Sequence, residues 1–397
     1  MQDTPIRQIF QACAWHLFLG DLAQRSILAR HYRARCLRVA VLAILLAHIA
    51  HEQTGERRGA GSFLDEASRG IETLQRWYNQ ATGLWTTTGW WNSANAATVL
   101  VNYSRLSGSN EWKADIENTF SINAAKGFLN NYYDDEGWWA LAWIDAYDWT
   151  GDVRYLTMAE SIFSDMTGGW DGTCNGGIWW SKKRTYKNAV ANELFLSVAA
   201  RLANREAPPV QASYSSWAMR EWEWFRSSGM INVQHLVNDG LTAACQNNGQ
   251  TTWSYNQGVI LGGLAELSLQ VQDPAIPEAA HAIAAAAMAG LTDDRGILHD
   301  SCEPNCGADG VQFKGIFARN LAELAHMFPR PEYARFLETN AKSIWNRAQG
   351  PDYEFGQVWS GPFAGTDAGS QSSALDCVIG AAQTDIKPPI VKSPPRR

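Results

Sequence analysis

The stretch Tyr132-Tyr133-Asp134-Asp135-Glu136-Gly137-Trp138-Trp139 sets adjacent carboxyl groups among four aromatic rings. Cleaving a glycosidic bond needs two carboxyls, one giving a proton to the leaving oxygen and one attacking or stabilising the sugar cation. Aromatic rings suit that chemistry, because the C–H faces of a pyranose stack on them and Trp and Tyr add a polar handle for hydroxyls. The same octet also reads as an ordinary helix start. Asp caps helices and complements the positive end of their dipole.

The elements that must hold such a pair are helical. From about residue 64 onward, apolar residues recur at spacings of three and four, with few alternating β-branched runs. A hairpin pattern repeats at Leu106 to Trp112, Trp149 to Tyr155 and Phe328 to Tyr333, with looser versions at Gln272-Asp273-Pro274 and from Ala203 to Trp217. In each, Gly or Pro stops one helix, a short polar turn follows, and an aromatic anchors the returning helix. The irregular spacing excludes a solenoid of fixed period. Five or six such antiparallel pairs suggest a closed helical toroid, an α/α barrel. Its Gly- and aromatic-rich connections, at 85–95, 132–139, 168–180, 238–257, 292–314 and 354–366, should gather on one face, where chemistry commonly sits on a rigid scaffold.

Composition narrows the partners. The chain has 397 residues, 46% hydrophobic and 18% charged, with a formal net charge of -7. That balance argues against nucleic acid, since phosphate binding wants a basic face, and favours an uncharged polymer. Seven cysteines are present: Cys13, Cys36, Cys174, Cys245, Cys302, Cys306 and Cys377. The short spacing of Cys302 and Cys306 fits a small-loop disulfide in an exported protein, and also a reduced pair or metal ligands; no metal is expected. The pairing of Cys174, Cys245 and Cys377 stays open, with Cys174–Cys245 one possibility.

Residues 39–50 form an apolar run after Arg30, Arg33, Arg35 and Arg38, of the length of a signal h-region. A signal-anchor and a buried helix fit the same run, whose position implies an extended leader. Asn102-Tyr103-Ser104 is the single glycosylation sequon. The expected organisation is a leader over 1–60, one catalytic domain over 61–383 and a disordered Pro-rich tail over 384–397.

Six motifs then carry a resemblance: Gly89 to Asn95 (GWWNSAN), Tyr132 to Asp152 (YYDDEGWWALAWIDAYDWTGD), Cys174 to Trp180 (CNGGIWW), Tyr186 to Phe195 (YKNAVANELF), Trp253 to Gly258 (WSYNQG) and Phe313 to Phe317 (FKGIF). In this order, from about residue 65 to about 382, the chain resembles glycoside hydrolase family 76, the endo-α-1,6-mannanases of bacteria and fungi and related fungal cell-wall transglycosidases. The resemblance implies an (α/α)6 barrel, no cofactor, and a retaining mechanism with Asp134 as nucleophile and Asp135 as acid/base. Consecutive Cα atoms lie about 3.8 Å apart, and diverging side chains can spread two carboxyls to the ~5 Å that retention uses. The two must also differ in acidity, and Glu136, Trp138 or Trp139 could supply the difference.

Asp239, in Asn238-Asp239-Gly240, is the expected third carboxylate, against the alternative of a plain turn residue. Further candidates for sugar contact are Asn92, Asn95, Tyr255, Asn256 and Gln257 by hydrogen bonding, and Trp91, Trp139, Trp179 and Trp180 by stacking; for each, capping or core packing is the alternative. Lys187 and Asn188 read as structural tethers. The expected protein is a secreted or cell-surface monomer, touching membrane only through its N-terminal segment, that cleaves α-1,6-mannan. The rival readings are transfer of the glycan to another wall polymer and mannan binding without turnover.

Overall fold

A computed structural model describes residues 60–385. The leader expected over 1–60, except its last residue, lies outside the described residues, as does the expected tail beyond Asp385. Twelve helices of 11 to 18 residues dominate: α1 (Ala60–Leu74), α2 (Trp90–Ser107), α3 (Lys113–Asn123), α4 (Tyr133–Thr150), α5 (Val153–Thr167), α6 (Ala189–Arg205), α7 (Val210–Ser227), α8 (Ser254–Ser268), α9 (Ala275–Gly290), α10 (Phe313–Met327), α11 (Pro331–Arg347) and α12 (Ala368–Asp385). The even-numbered helices form an inner ring in which each packs on the next and α12 closes on α2. The odd-numbered helices lie outside them. This is an (α/α)6 barrel. A two-stranded ribbon, Tyr78–Asn79 with Leu84–Trp85, decorates the connection into α2.

Residue patterning separates the two rings. Outer helix α5 buries Tyr155, Leu156, Ala159, Ile162, Phe163 and Met166, one stripe at helical spacing. Inner helix α6 is buried along its whole length from Ala189 to Ala203, as a helix enclosed on all sides must be. Small residues let the inner helices approach. A Cβ on Gly258 of α8 would lie 2.5 Å from Phe317 Cα of α10, and one on Gly315 of α10 would lie 2.5 Å from Ser373 Cα of α12. The expected hairpin turns are present, with Gly108 (φ 74°) and Gly151 (φ 70°) ending α2 and α4 in left-handed conformation.

Alternation of outward and returning helices brings every connection into an inner helix to one end of the barrel. The other end holds buried charge. Arg201 meets Asp145, Glu266 and Glu323, Arg205 meets Asp148 and Glu266, and Arg319 meets Asp376. These groups line a polar cavity of about 430 Å3. Asp145 and Asp148, which follow the Asp pair in sequence, are committed here. Cys302 and Cys306 are bonded to each other, and Cys174 joins Cys245, stapling the 168–180 connection to the 238–257 connection. Among the described residues, Cys377 is a buried free thiol. Among the described residues, no helix is long and apolar enough to cross a membrane.

Candidate active site

The Asp pair is positioned by a zipper between two connections. Tyr132 pairs with Ser181 as a β-bridge, Tyr133 N–H donates to Trp180 C=O at 2.9 Å, and Lys182 N–H donates to Asn131 C=O at 3.0 Å. Asn130 folds the chain into α4 by accepting the Tyr132 N–H at 2.7 Å. Asp134 and Asp135 are thus the second and third residues of the helix's first turn, and no side chain caps it. The helix-start reading holds for the backbone, while both carboxyls face other partners.

Asp134 Oδ2 accepts the Trp180 indole N–H at 2.9 Å; Oδ1 is buried and meets no protein donor. Burial first, then the charge of Asp135, pushes the Asp134 carboxyl up to about 8, against the pull of the indole and the first-turn N–H groups. Asp135 Oδ2 accepts from Asn130 Nδ2 at 2.6 Å. Burial raises Asp135 to about 6, opposed by Asn130 and assisted by the charge of Asp309. The fully buried Glu136 accepts from Asn130 N–H at 3.1 Å and from Lys182 Nζ at 2.8 Å, and Lys182 also reaches Asp165 at 2.9 Å. Burial outweighs Lys182 and lifts Glu136 to about 8. The carboxyls of the pair therefore differ in acidity. The tighter hold on a proton belongs to Asp134.

On the Asp134 side, Trp180 is 36% exposed and leans on Tyr132, with ring centroids 5.0 Å apart. The second disulfide-stapled connection brings up Asp239, whose Oδ2 accepts from Tyr186 Oη at 2.5 Å. Its backbone carbonyl takes the Ala189 N–H at the start of α6, so the turn role is real as well. Tyr255 feels the charge of both Asp239 and Asp134. Its hydroxyl is pushed well up by burial and then by the charges of Asp239, Asp134, Glu193 and Tyr186, and its ring stacks on Phe313 at 3.9 Å. On the Asp135 side, Trp91 stacks on Trp138 at 5.6 Å and donates its N–H to Asp309.

Several of the residues expected to contact sugar are buried. Trp139 is fully buried against Trp90, Phe128 and Trp143. Asn92 exchanges amide bonds with Gln312 and accepts the Gly89 N–H, while Asn95 is held by Arg319 and by Trp91 C=O. Gln257 bonds both backbone groups of Val237 and the Trp253 carbonyl. These amides splint the connections to the inner helices, because a buried polar group needs partners and finds them here in neighbouring backbone and side-chain groups. Asn256 is fully buried, and neither amide atom meets a protein partner. Trp179 is half-buried, its N–H held by Asp171 and its face by Lys187.

Lys187 is the tether that the motif suggested. Its ammonium is buried and donates to Thr173, Gly176 and Gly177 carbonyls at 2.7–2.8 Å and to Asp171 at 3.1 Å. Sequence reasoning missed Asn130, Tyr186, Lys182 and Asp309. It also missed Glu193, fully buried with no partner for either oxygen, which burial and then the charges of Asp239 and Glu221 push well above the usual carboxylate range. The YKNAVANELF motif contains Tyr186 and Glu193, so that signal was present; Asp309 had none.

Comparison with known proteins gives a consistent family. A model described as glycosyl hydrolase family 76 matches residues 64–393. A mannan endo-1,6-α-mannosidase of Candida albicans is 27% identical over 330 residues, covering 72% of this chain and 71% of that protein. A putative mannan endo-1,6-α-mannosidase of Schizosaccharomyces pombe is 30% identical over 237 residues, covering 53% of this chain and 51% of that protein, so the chain matches about half its length. An inactive α-1,6-mannanase variant of Salegentibacter, with two aspartates replaced by alanine and α-1,6-mannotetrose bound, superposes with TM-score 0.72 at 20% identity over 81% of this chain and 98% of that one. Dfg5 from Chaetomium thermophilum, in complex with glucosamine, gives TM-score 0.73 at 22% identity over 83% and 92%. At these identities the structural likeness establishes the fold.

Proposed function

The chain belongs to glycosyl hydrolase family 76, and on that premise we propose that it cleaves α-1,6-linked mannan within the chain, by retaining double displacement on Asp134 and Asp135. The observation that carries the proposal is the carboxyl pair itself: two adjacent acids of unequal proton affinity at a helix start, beneath an exposed indole. The substrate is supported by the mannan endo-1,6-α-mannosidases among the relatives, and by a structural neighbour described as inactive when two consecutive aspartates are replaced.

Asp134 attacks the anomeric carbon as Asp135 passes its proton to the glycosidic oxygen, so the C–O bond breaks while the mannosyl–Asp134 ester forms. Asp135, now ionised, takes a proton from water, which attacks the same carbon and releases Asp134. The working state holds one proton on the pair. With affinities of about 8 and about 6, that state spans roughly pH 6 to 8. With these affinities the proton prefers Asp134, the reverse of what attack requires. Positive charge growing at the anomeric carbon favours ionisation of the carboxyl facing it, so the proton shifts to Asp135 as the transition state forms.

Asp239 with Tyr186, Trp180 on Tyr132, Trp91, and half-buried Tyr255 would contact the glycan. Export through the apolar segment at 39–50 and action at the cell wall belong to the same proposal, and the two disulfides support an oxidising compartment. Transfer to another wall glycan uses the same pair with a sugar hydroxyl in place of water. Digestion of reduced α-1,6-mannan with and without an added acceptor tests both readings. Hydrolysis gives shorter oligosaccharides in each case, transfer gives hybrid products, and an intact polymer refutes the proposal. Asp134→Asn should abolish turnover and leave oligosaccharide binding within a few-fold.

A further inference from the structure

Asp309 lies 174 positions from Asp135 in sequence, yet its charge acts on that carboxyl. It sits in a single helical turn, Gly307–Gly310, directly after the Cys302–Cys306 disulfide. The disulfide packs against this turn: a Cβ on buried Gly310 would lie 2.8 Å from Cys306 Cβ and 3.5 Å from Cys302 Sγ, and Gly310 N–H donates to Cys306 C=O at 3.2 Å. Inside the disulfide loop, buried Glu303 is held by Lys314 Nζ at 2.6 Å, which also donates to Gln357 C=O at 2.8 Å. Beneath the turn, Gln312 and Asn92 exchange two amide bonds at 2.8 and 3.0 Å. The turn is therefore fixed to the start of α2 from below and to its own loop from behind.

The exposed Asp309 carboxylate accepts the Trp91 indole N–H at 2.9 Å, and no Lys, Arg or His among the described residues forms an ion pair with it. Trp91 stacks on Trp138, one helical turn below Asp134, and the Arg319 guanidinium lies over the Trp138 ring at 5.7 Å. The other charged groups near Asp135 are Asp134 and Glu136 on its own helix, and Lys182 and Asp165, which engage Glu136. Arg319 is spent on Asp376. Among the described residues, Asp309 is thus the carboxylate outside α4 whose charge bears on Asp135.

We propose that Asp309 is a positioning residue for the carboxyl pair: it holds the Trp91 indole as a wall beside Asp135, and its negative charge steers the shared proton onto Asp135. This rests on the retaining-pair reading of the site. It narrows the mismatch between the two acids, in which Asp134 competes for the proton that Asp135 must donate. A carboxylate facing Asp135 and not bonded to Asp134 is the arrangement that opposes this competition.

The test separates charge from wall and does not depend on activity alone. Asp309→Asn keeps an oxygen for the Trp91 N–H and removes the charge. It should lower the proton affinity of Asp135 by about half a pH unit, roughly threefold. Asp135 binds its proton more tightly folded than unfolded, so stability is lost as pH rises from about 4 toward 6. With that affinity lowered, Asp309→Asn should match wild type near pH 4 to 5, gain stability relative to it as pH rises through about 5.5 to 6, and keep that gain above. Thermal midpoints of the full chain from pH 4 to 7.5 read the effect, and in an Asp135→Asn background it should vanish. A difference between Asp309→Asn and wild type that is independent of pH, or that persists with Asp135 replaced, overturns the proposal.

In kinetics on α-1,6-mannan, Asp309→Asn should move the limb near pH 6 downward by the same half unit and lower kcat several-fold. Trp91→Phe should raise KM and leave the limb in place; a limb that moves with Trp91→Phe would assign the effect to the wall and overturn the charge role. Wild-type protein inert toward every mannan would sink the functional reading, while the thermal cycle would still decide the role of Asp309.

Discussion

Replacing Trp180 by Phe removes one hydrogen bond and leaves a ring on Tyr132, so it isolates what the indole N–H does for Asp134. That bond, at 2.9 Å to Oδ2, is the one side-chain donor found on a carboxyl whose other oxygen is buried without a donor. A hydrogen bond to a charged group contributes about 1.5–3 kcal/mol, and each pH unit of affinity corresponds to about 1.4 kcal/mol. Trp180 is 36% exposed, so water can replace part of the lost donor and the lower end applies. Asp134 should then rise by about one further unit above its value near 8. Two effects follow in kcat/KM measured against pH on a defined α-1,6-mannooligosaccharide. The basic limb moves up by about one unit, because Asp134 ionises last. The optimum falls about tenfold, because the form with Asp134 ionised and Asp135 protonated becomes that much rarer. A fall in rate carried by KM alone, with the basic limb fixed to within about 0.2 units, would refute the coupling between indole and carboxylate.

Stability should be greatest in mild acid. Asp134, Asp135 and Glu136 bind protons more tightly in the folded state, so their contribution is lost as pH rises from about 4 through 8. Asp171 works oppositely: burial opposes ionisation, but the Trp179 and Thr173 N–H groups and Lys187 outweigh it and hold its carboxyl below the usual range, so its contribution is lost in strong acid. The thermal midpoint should therefore peak near pH 4 and fall by about 5–10 °C toward pH 8, several kcal/mol in free energy; a flat or rising midpoint over that interval contradicts the assignment. Lys187→Met leaves three carbonyls and Asp171 without their shared ammonium. Losing one partner of a buried pair costs about 3–5 kcal/mol, and the lower figure applies because Asp171 keeps its bonds to Trp179 and Thr173. Urea unfolding measures it, and a loss under about 1 kcal/mol would deny the tether role.

Much of the architecture was legible because it follows from local rules. Periodicity and Gly- or Pro-stopped hairpins announced the helices, and their number announced a ring. The six Gly- and aromatic-rich connections fell where outer helices hand over to inner ones. The choice of site residues was less legible. Asn92, Gln257 and Trp139 sit in motifs beside the cleft, and the structure buries them against Gln312, the Val237 backbone and the indoles of Trp90 and Trp143. Which face of a helix start looks inward depends on neighbours that the local sequence does not contain.

What the sequence determined by itself was the chemistry on offer: adjacent acids, a surplus of indoles, and helices that can only bury their apolar faces by closing on one another. Tertiary structure alone decided the electrostatics. The acidity of Asp134 and Asp135 comes from burial under Trp180, from Asn130 behind, and from Asp309 across the ring closure. Proton affinity depends on distance and dielectric, and both are set by residues that folding brings together from 46 and 174 positions away.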